Sequence, residues 1–328
     1  MLDAFGRRIH YLRLSVIDRC DLRCRYCMAE EPDFLPKEQV LSLEEMAELA
    51  RIFIRLGVRK IRLTGGEPLM RRNVMQLVNE LGREVREGRL EELTMTSNGT
   101  QLAKYAAGLA AAGIKRLNVS LDSLDPDVFR RITRRGELEP VLDGISAAKQ
   151  AGIKIKINAV ALKGLNDQEL DRLIGWCGRE GHDLTLIETM PLGEFAMEMR
   201  DHALPLDAVR RDLESRWTLL PNDYRTGGPA RYVTVAETGG KLGFITPMTH
   251  GFCDSCNRMR LTCTGQLVAC LGHETGTDLR SALRSDKPAQ AVERAIALAL
   301  GIKPKGHDFV SQFATEHPLG RTMNRVGG

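Results

Sequence analysis

Apolar and polar positions alternate with period two in a series of short runs, each followed by a stretch of helical period. Residues 11–17 (YLRLSVI) read as a first strand and 42–56 as the helix after it, with Ser42 and Glu45 spaced for a capping box. Lys60–Thr64 and residues 92–96, 116–121, 154–162 and 184–188 read as five further strands. Helices are predicted near residues 73–86, 102–112 and 167–179, with helical segments also running up to Ala151. Six β-then-α units predict parallel strands joined by right-handed crossovers. Glycines and polar residues fall after the strands, the face on which barrel enzymes carry their sites. The expected fold is therefore α/β, a partial (β/α)6 TIM-like barrel, although a doubly wound open sheet has the same periodicity. After Pro191 the pattern changes to a helix over 206–217, a Pro/Gly-rich connection over 221–229, short strands at Arg231–Val235 and 243–245, and a hairpin-like 260–271. This predicts a barrel domain over residues 1–192 and a smaller α+β domain over 193–328, with the boundary near residues 193–202.

Composition narrows the class of function more than the fold. The 328 residues are 43% apolar and 27% charged, ordinary for a globular protein and unlike a disordered or membrane-inserted one. No apolar run approaches the length of a membrane span, and the first residues lack the apolar stretch of a signal peptide, so a cytoplasmic location is expected. A net charge of +4, unclustered over the chain, suits anionic small molecules better than nucleic acid. The chain has eight cysteines, and six fall in two compact groups, which favours metal binding over disulfides.

The first group, Cys20, Cys24 and Cys27, forms a C-x3-C-x2-C run with Tyr26 before its last member. Three thiolates are one short of a closed tetrahedral site, so an iron–sulfur cluster held by them keeps one iron open. A zinc site completed by a distant residue has the same local pattern. The second group, Cys253, Cys256 and Cys270, also leaves one position open, and Arg258-Met259-Arg260 lies within it. Arginines there match phosphate oxygens, although a zinc hairpin with solvated arginines fits equally well. Cys177 reads as a small core residue; Cys263 reads as a free thiol inside the second group. The second strand ends in Thr64-Gly65-Gly66-Glu67-Pro68, where the glycines permit close approach of a ligand and Glu67 can meet an ammonium.

C-x3-C-x2-C followed by Gly-Gly-Glu-Pro resembles the radical S-adenosylmethionine (SAM) superfamily. With both triads, Leu12-Arg13-Leu14-Ser15, Phe252-Cys253-Asp254-Ser255-Cys256-Asn257-Arg258 and the terminal Gly327-Gly328, the chain resembles the GTP 3′,8-cyclase family of molybdenum-cofactor biosynthesis along nearly its whole length. That resemblance implies two [4Fe–4S] clusters and SAM. It implies a 5′-deoxyadenosyl radical that takes the ribose 3′-hydrogen of GTP, and closure of C3′ onto C8 of guanine. By the same resemblance Cys20, Cys24 and Cys27 hold the first cluster and, with Arg258 and Arg260, are the catalytic set. Cys253, Cys256 and Cys270 hold the second cluster. Tyr26, Gly66, Glu67, Ser120 and Met190 are expected at SAM, and Arg13, Arg62, Thr96, Lys156, Arg258, Met259 and Arg260 at GTP.

A cation pointing into a barrel is costly unless it meets an anion, which agrees with the arginine and lysine positions. Met190 alone reads as core. The Gly-Gly end alone reads as a frayed tail, although in the family it reaches the active site. Cys263 stands where the family is expected to carry a small non-cysteine residue. A flavodoxin- or ferredoxin-like reductant and a downstream pyranopterin monophosphate synthase are the implied partners; oligomeric state is open, a homodimer included. Two other functions compete: a radical SAM enzyme that modifies peptides, and a zinc-stabilised RNA-binding protein.

Overall fold

A computed structural model describes residues 1–193, 196–307, 309 and 320–327. Its centre is six parallel strands in chain order: β1 (Tyr11–Ser15), β2 (Lys60–Thr64), β3 (Glu92–Ser97), β4 (Arg116–Ser120), β5 (Lys154–Val160) and β6 (Asp183–Ile187). Helices follow them: α1 (Leu43–Arg55), α2 (Val74–Arg86), α3 (Leu102–Ala111), the pair α4 (Pro126–Thr133) and α5 (Glu139–Gln150), and α6 (Leu170–Glu180). The predicted capping box opens α1. Ser42 Oγ accepts from the Glu45 amide at 3.1 Å, and the Ser42 amide donates to Glu45 Oε2 at 2.8 Å. The helices carry their apolar faces into one core with the outward side chains of the strands, such as Leu12, Leu14, Ile61 and Leu63. Inward positions are left polar, and this alternation follows from the strand period.

The chain beyond β6 adds α7 (Ala196–Arg200), α8 (Leu206–Leu213), β7 (Leu219–Pro221), β8 (Arg231–Val235), β9 (Gly240–Ile245), β10 (Arg258–Leu261), β11 (Gln266–Val268), β12 (Thr277–Asp278), α9 (Leu279–Leu283), α10 (Pro288–Gly301) and α11 (Met323–Val326). Its strands extend the first sheet at both edges. The full order is β12-β11-β10-β1-β2-β3-β4-β5-β6-β9-β8-β7. β9 joins β6 and β10 joins β1, both parallel, whereas β7, β8, β11 and β12 pair antiparallel. The connection between β7 and β8 reaches β2 and the lead into β10: Lys60 Nζ donates to Thr226 O and Asn257 Nδ2 to Gly227 O, both at 3.0 Å. Among the described residues no helix is long and apolar enough to cross a membrane.

Register decides what faces the interior. Tyr11 pairs with Arg258 and Lys60, and Lys60 with Glu92; one step along, Arg13 pairs with Arg260 and Arg62, and Arg62 with Thr94. Because β10 runs parallel to β1, Cys253 and Cys256, which precede β10, lie at the amino ends of the strands. Cys20, Cys24 and Cys27 follow β1 at the carboxy ends. About 13 Å of strand, at roughly 3.3 Å per residue, separates the two levels.

A candidate active site between two cysteine triads

A single cavity of about 300 Å³ is lined by all six cysteines of the two triads. Tyr26, Gly66, Ser120 and Met190 line it near the first triad, and Arg13, Arg62, Thr96, Lys156, Arg258 and Arg260 line its walls. No three Cys, His, Asp or Glu side chains among the described residues converge on a site for a single metal ion. A four-iron cluster takes each thiolate on a different iron, so three thiolates leave one iron open.

The first triad is held by a loop that the Gly65-Gly66 turn supports. Gly66 N donates to Ile17 O at 2.7 Å and Glu67 N to Arg19 O at 2.8 Å. A Cβ on Gly66 would stand 2.3 Å from Arg19 O and 2.6 Å from Asp18 O, both main-chain atoms that cannot yield. The glycine is therefore required by the cysteine loop itself, besides facing the cavity. Asn98 Nδ2 donates to Cys20 Sγ at 3.5 Å and to Asp21 Oδ1 at 2.7 Å. Tyr26 Oη donates to Asp122 Oδ2 at 2.7 Å. Burial pushes the Asp122 carboxyl up to about 6, even though Tyr26 and the Val160 amide pull it back. Burial, then Glu67, Cys27 and Asp21, push the Cys20 thiol far up; burial likewise takes Cys27 to about 12. Thiols that resist ionisation this strongly give up their protons when a metal cluster takes it as ligand. The site fits such a group.

The middle of the cavity is cationic. Arg260, Arg13 and Arg62 stand side by side on β10, β1 and β2, and the next partner in that row is the neutral Thr94. Arg62 Nη1 also donates to Thr96 Oγ1 at 3.4 Å. Burial first, then Arg260, Arg62 and Arg258, hold Arg13 well below its usual range, and burial and Arg258 bring Arg260 to about 10. Lys156 donates to Tyr232 Oη; burial, Arg62 and Arg116 bring its ammonium down to about 7. Like charges directly opposite across strands destabilise a sheet. The row concentrates positive charge on one wall of the cavity.

Two expected contacts fall elsewhere. Met259 is 1% exposed and packs in the hydrophobic core, because strand alternation turns it away from the face that Arg258 and Arg260 share. Glu67 is fully buried and does not line the cavity. Its carboxylate accepts from the amides of Leu69 and Asn98 and from Ser97 Oγ, so it braces the turn. Cys263, in the turn between β10 and β11, is also buried in the core, and Cys177 lies in the core as well.

The frayed-tail reading fails at Gly327. Arg260 Nη1 donates to Gly327 O at 2.7 Å, and Asn324 Nδ2 donates to Asp18 O at 3.0 Å. Gly327 sits at φ +78°, and a Cβ there would come within 2.3 Å of Thr64 Oγ1. Gly328 lies outside the described residues. Sequence reasoning missed Tyr11, Asn98 and Asn118. Tyr11 and Asn118 share inward parity with Arg13 and Lys156, which is the signal that marks them.

Residues 14–177 match the profile of the Radical SAM superfamily and residues 182–309 that of Molybdenum Cofactor Synthesis C. A GTP 3′,8-cyclase of Rhizobium meliloti (strain 1021) is 58% identical over 329 residues, covering 100% of this chain and 94% of the relative. One from Erythrobacter litoralis (strain HTCC2594) is 59% identical over 328 residues, covering 100% and 98%. Among solved structures, Streptococcus suis SuiB bound to precursor peptide SuiA superposes with a TM-score of 0.65 at 17% identity, over 97% of this chain and 75% of that one. SuiB bound to S-adenosylmethionine gives 0.63 at the same identity, over 97% and 77%. At that identity the likeness speaks for the fold alone, whereas the full-length identities establish kinship: the chain belongs to the GTP 3′,8-cyclase family of the radical SAM superfamily.

Proposed function

We propose that the protein converts GTP to (8S)-3′,8-cyclo-7,8-dihydroguanosine 5′-triphosphate, an early step of molybdenum-cofactor biosynthesis. The observation that carries this reading is the row Arg260–Arg13–Arg62, in register on three adjacent strands and lining a cavity that both triads also line. Superfamily membership brings a [4Fe–4S] cluster and SAM, for which Cys20, Cys24 and Cys27 are the ligands of this reading. When bound, that pair supplies the 5′-deoxyadenosyl radical that removes the ribose 3′-hydrogen. Tyr26, Gly66, Ser120 and Met190 form the wall against which SAM is oriented. Cys253, Cys256 and Cys270 hold a second [4Fe–4S] cluster on the guanine side.

The chain's own contribution is placement. Arg13, Arg62 and Arg260 neutralise the triphosphate, with guanidinium forks matched to phosphate oxygens. Arg258, Thr96 and Lys156 complete the nucleotide wall. Lys156, near neutrality in the free protein, takes up a proton as the anion arrives. Arg260 also holds Gly327, so the carboxy-terminal tail and the substrate share one anchor. Enclosure by the tail and by the connection between β7 and β8 keeps water from the radical chemistry.

Residues 1–192 and 193–328 act as a unit in this reading, since each contributes one triad. A flavodoxin- or ferredoxin-like protein supplies electrons, a pyranopterin monophosphate synthase takes the product, and the enzyme works in the cytoplasm, with a homodimer compatible with all of this. The test is anaerobic incubation with GTP, SAM and dithionite, followed by separation of the nucleotides. The expected result is 5′-deoxyadenosine in step with a cyclic GTP isomer. A modified peptide in place of a GTP product, or no measurable GTP affinity, would overturn it.

A further inference from the structure

Two cations beside the second triad have no part in the cavity wall. Arg7 belongs to a tight turn at the start of the chain. Its Nε donates to Asp3 Oδ2 at 2.6 Å and its amide to Asp3 Oδ1 at 2.9 Å. Its terminal nitrogens then reach three carbonyls: Nη1 donates to Cys253 O at 2.8 Å and to Lys305 O at 2.7 Å, and Nη2 to Pro304 O at 2.7 Å. Asp3 neutralises this guanidinium, and its side chain is fully buried.

Lys303 has no such partner. It is 2% exposed, and its ammonium donates to Arg258 O at 3.2 Å and to Ala269 O. Among the described residues no carboxylate stands within ion-pair distance of it. A buried ammonium is retained only where something offsets its charge. Its positive charge acts on the thiols of Cys256 and Cys270, drawing both down against burial. The carbonyls that the two cations hold belong to Cys253, to Ala269 just before Cys270, and to Arg258 two residues after Cys256. Every ligand of the second triad thus lies within two residues of a carbonyl held by Arg7 or Lys303.

We infer that Arg7 and Lys303 are positioning residues for the second metal group, holding the backbone that presents its three ligands, and that Lys303 is the counter-charge favouring its reduced state. The inference rests on the reading that this triad holds a [4Fe–4S] cluster. One-electron reduction adds a negative charge to such a cluster, and a fixed ammonium in a low-dielectric setting stabilises the added charge. Neither residue touches substrate or SAM in this arrangement, so their effect acts through the cysteines.

The experiment uses the full chain, reconstituted anaerobically with iron and sulfide and titrated with dithionite while electron paramagnetic resonance follows each site. In the unsubstituted protein about eight irons and two signals are expected; four irons and one signal would end the two-cluster reading itself. Given two signals, Lys303→Met is expected to disfavour reduction of the second site at least tenfold, about 59 mV for a one-electron couple. The first site's midpoint stays in place, and Lys303→Arg restores the second. Loss of the second cluster in Lys303→Met with retention in Lys303→Arg also supports the inference. Two clusters with an unmoved second midpoint in Lys303→Met, or equal loss in both variants, would overturn the counter-charge. Arg7→Gln is expected to lose iron from the second site alone, and full iron in it would remove Arg7 from the pair.

Discussion

The two triads are alike in ligand type and opposite in surroundings. Around Cys20, Cys24 and Cys27 stand Glu67, Asp21 and Asp122, and after burial these carboxylates push the thiols further up. Around Cys256, burial pushes up too, but Lys303, Arg258 and Arg7 outweigh it and the thiol comes out below its ordinary range, whereas at Cys270 burial prevails over Lys303 and the thiol stays raised. Carboxylates therefore stand behind the first triad and cations behind Cys256, with the arginine row on the latter side. SAM carries a sulfonium and an ammonium, and GTP carries four negative charges when fully ionised. In the proposed reading SAM, whose sulfonium and ammonium outweigh its one carboxylate, goes to the acidic surroundings and GTP to the basic ones.

Removing a ligand should break this contrast most severely. Cys24→Ala is expected to abolish 5′-deoxyadenosine and cyclic product while leaving the second site's iron, checked by nucleotide analysis and iron content. Arg13→Ala should weaken GTP binding by about 2–3 kcal/mol, the scale of a lost hydrogen bond to a charged group, while SAM affinity holds. Gly327→Ala should loosen the tail by about 1–2 kcal/mol, since an alanine at positive φ is strained and its Cβ meets Thr64. Faster amide exchange at Asn324–Val326 relative to β1 would report it.

The pH dependence is smaller and its sign is fixed. Lys156 is near 7 in the free protein and higher beside a triphosphate. Its contribution to binding is fully present below about 7 and fades as pH rises through the higher value of the complex. Calorimetry in buffers of different ionisation heat should find proton uptake at pH 8, and Lys156→Met should remove it. Smallest of all, Cys263→Ala should leave the iron content unchanged, as its core packing implies.

Much of this contrast was legible in the sequence. Thiol spacing picked out both triads; Arg13, Arg62, Thr96 and Lys156 came from the resemblance, and the strand positions of Arg62, Thr96 and Lys156 agreed with an inward face. The same parity turns Met259 outward, so the contact expected of it with the Arg258–Arg260 segment as a whole is not kept. Glu67 was misplaced because its partners, Ser97 and Asn98, follow a different strand. The pairing of β10 with β1 leaves no trace in local periodicity, and with it were hidden the alignment of Arg260 with Arg13, the docking of Gly327, and the clamp of Lys303. Long-range strand order is set by the whole sheet, and a local pattern reports only which face of a strand is wet.

That distant pairing also sets a timetable. Arg7 and Cys253 are 246 residues apart, and at translation rates of roughly 5–20 residues per second the ribosome needs about 12–50 s to deliver the second after the first. Throughout that interval the nascent chain carries a parallel strand with one bare edge, the kind of surface that invites pairing with strangers. Iron loading at the first triad can begin early, but the enclosed chamber exists only once β10 and Cys270 have been made.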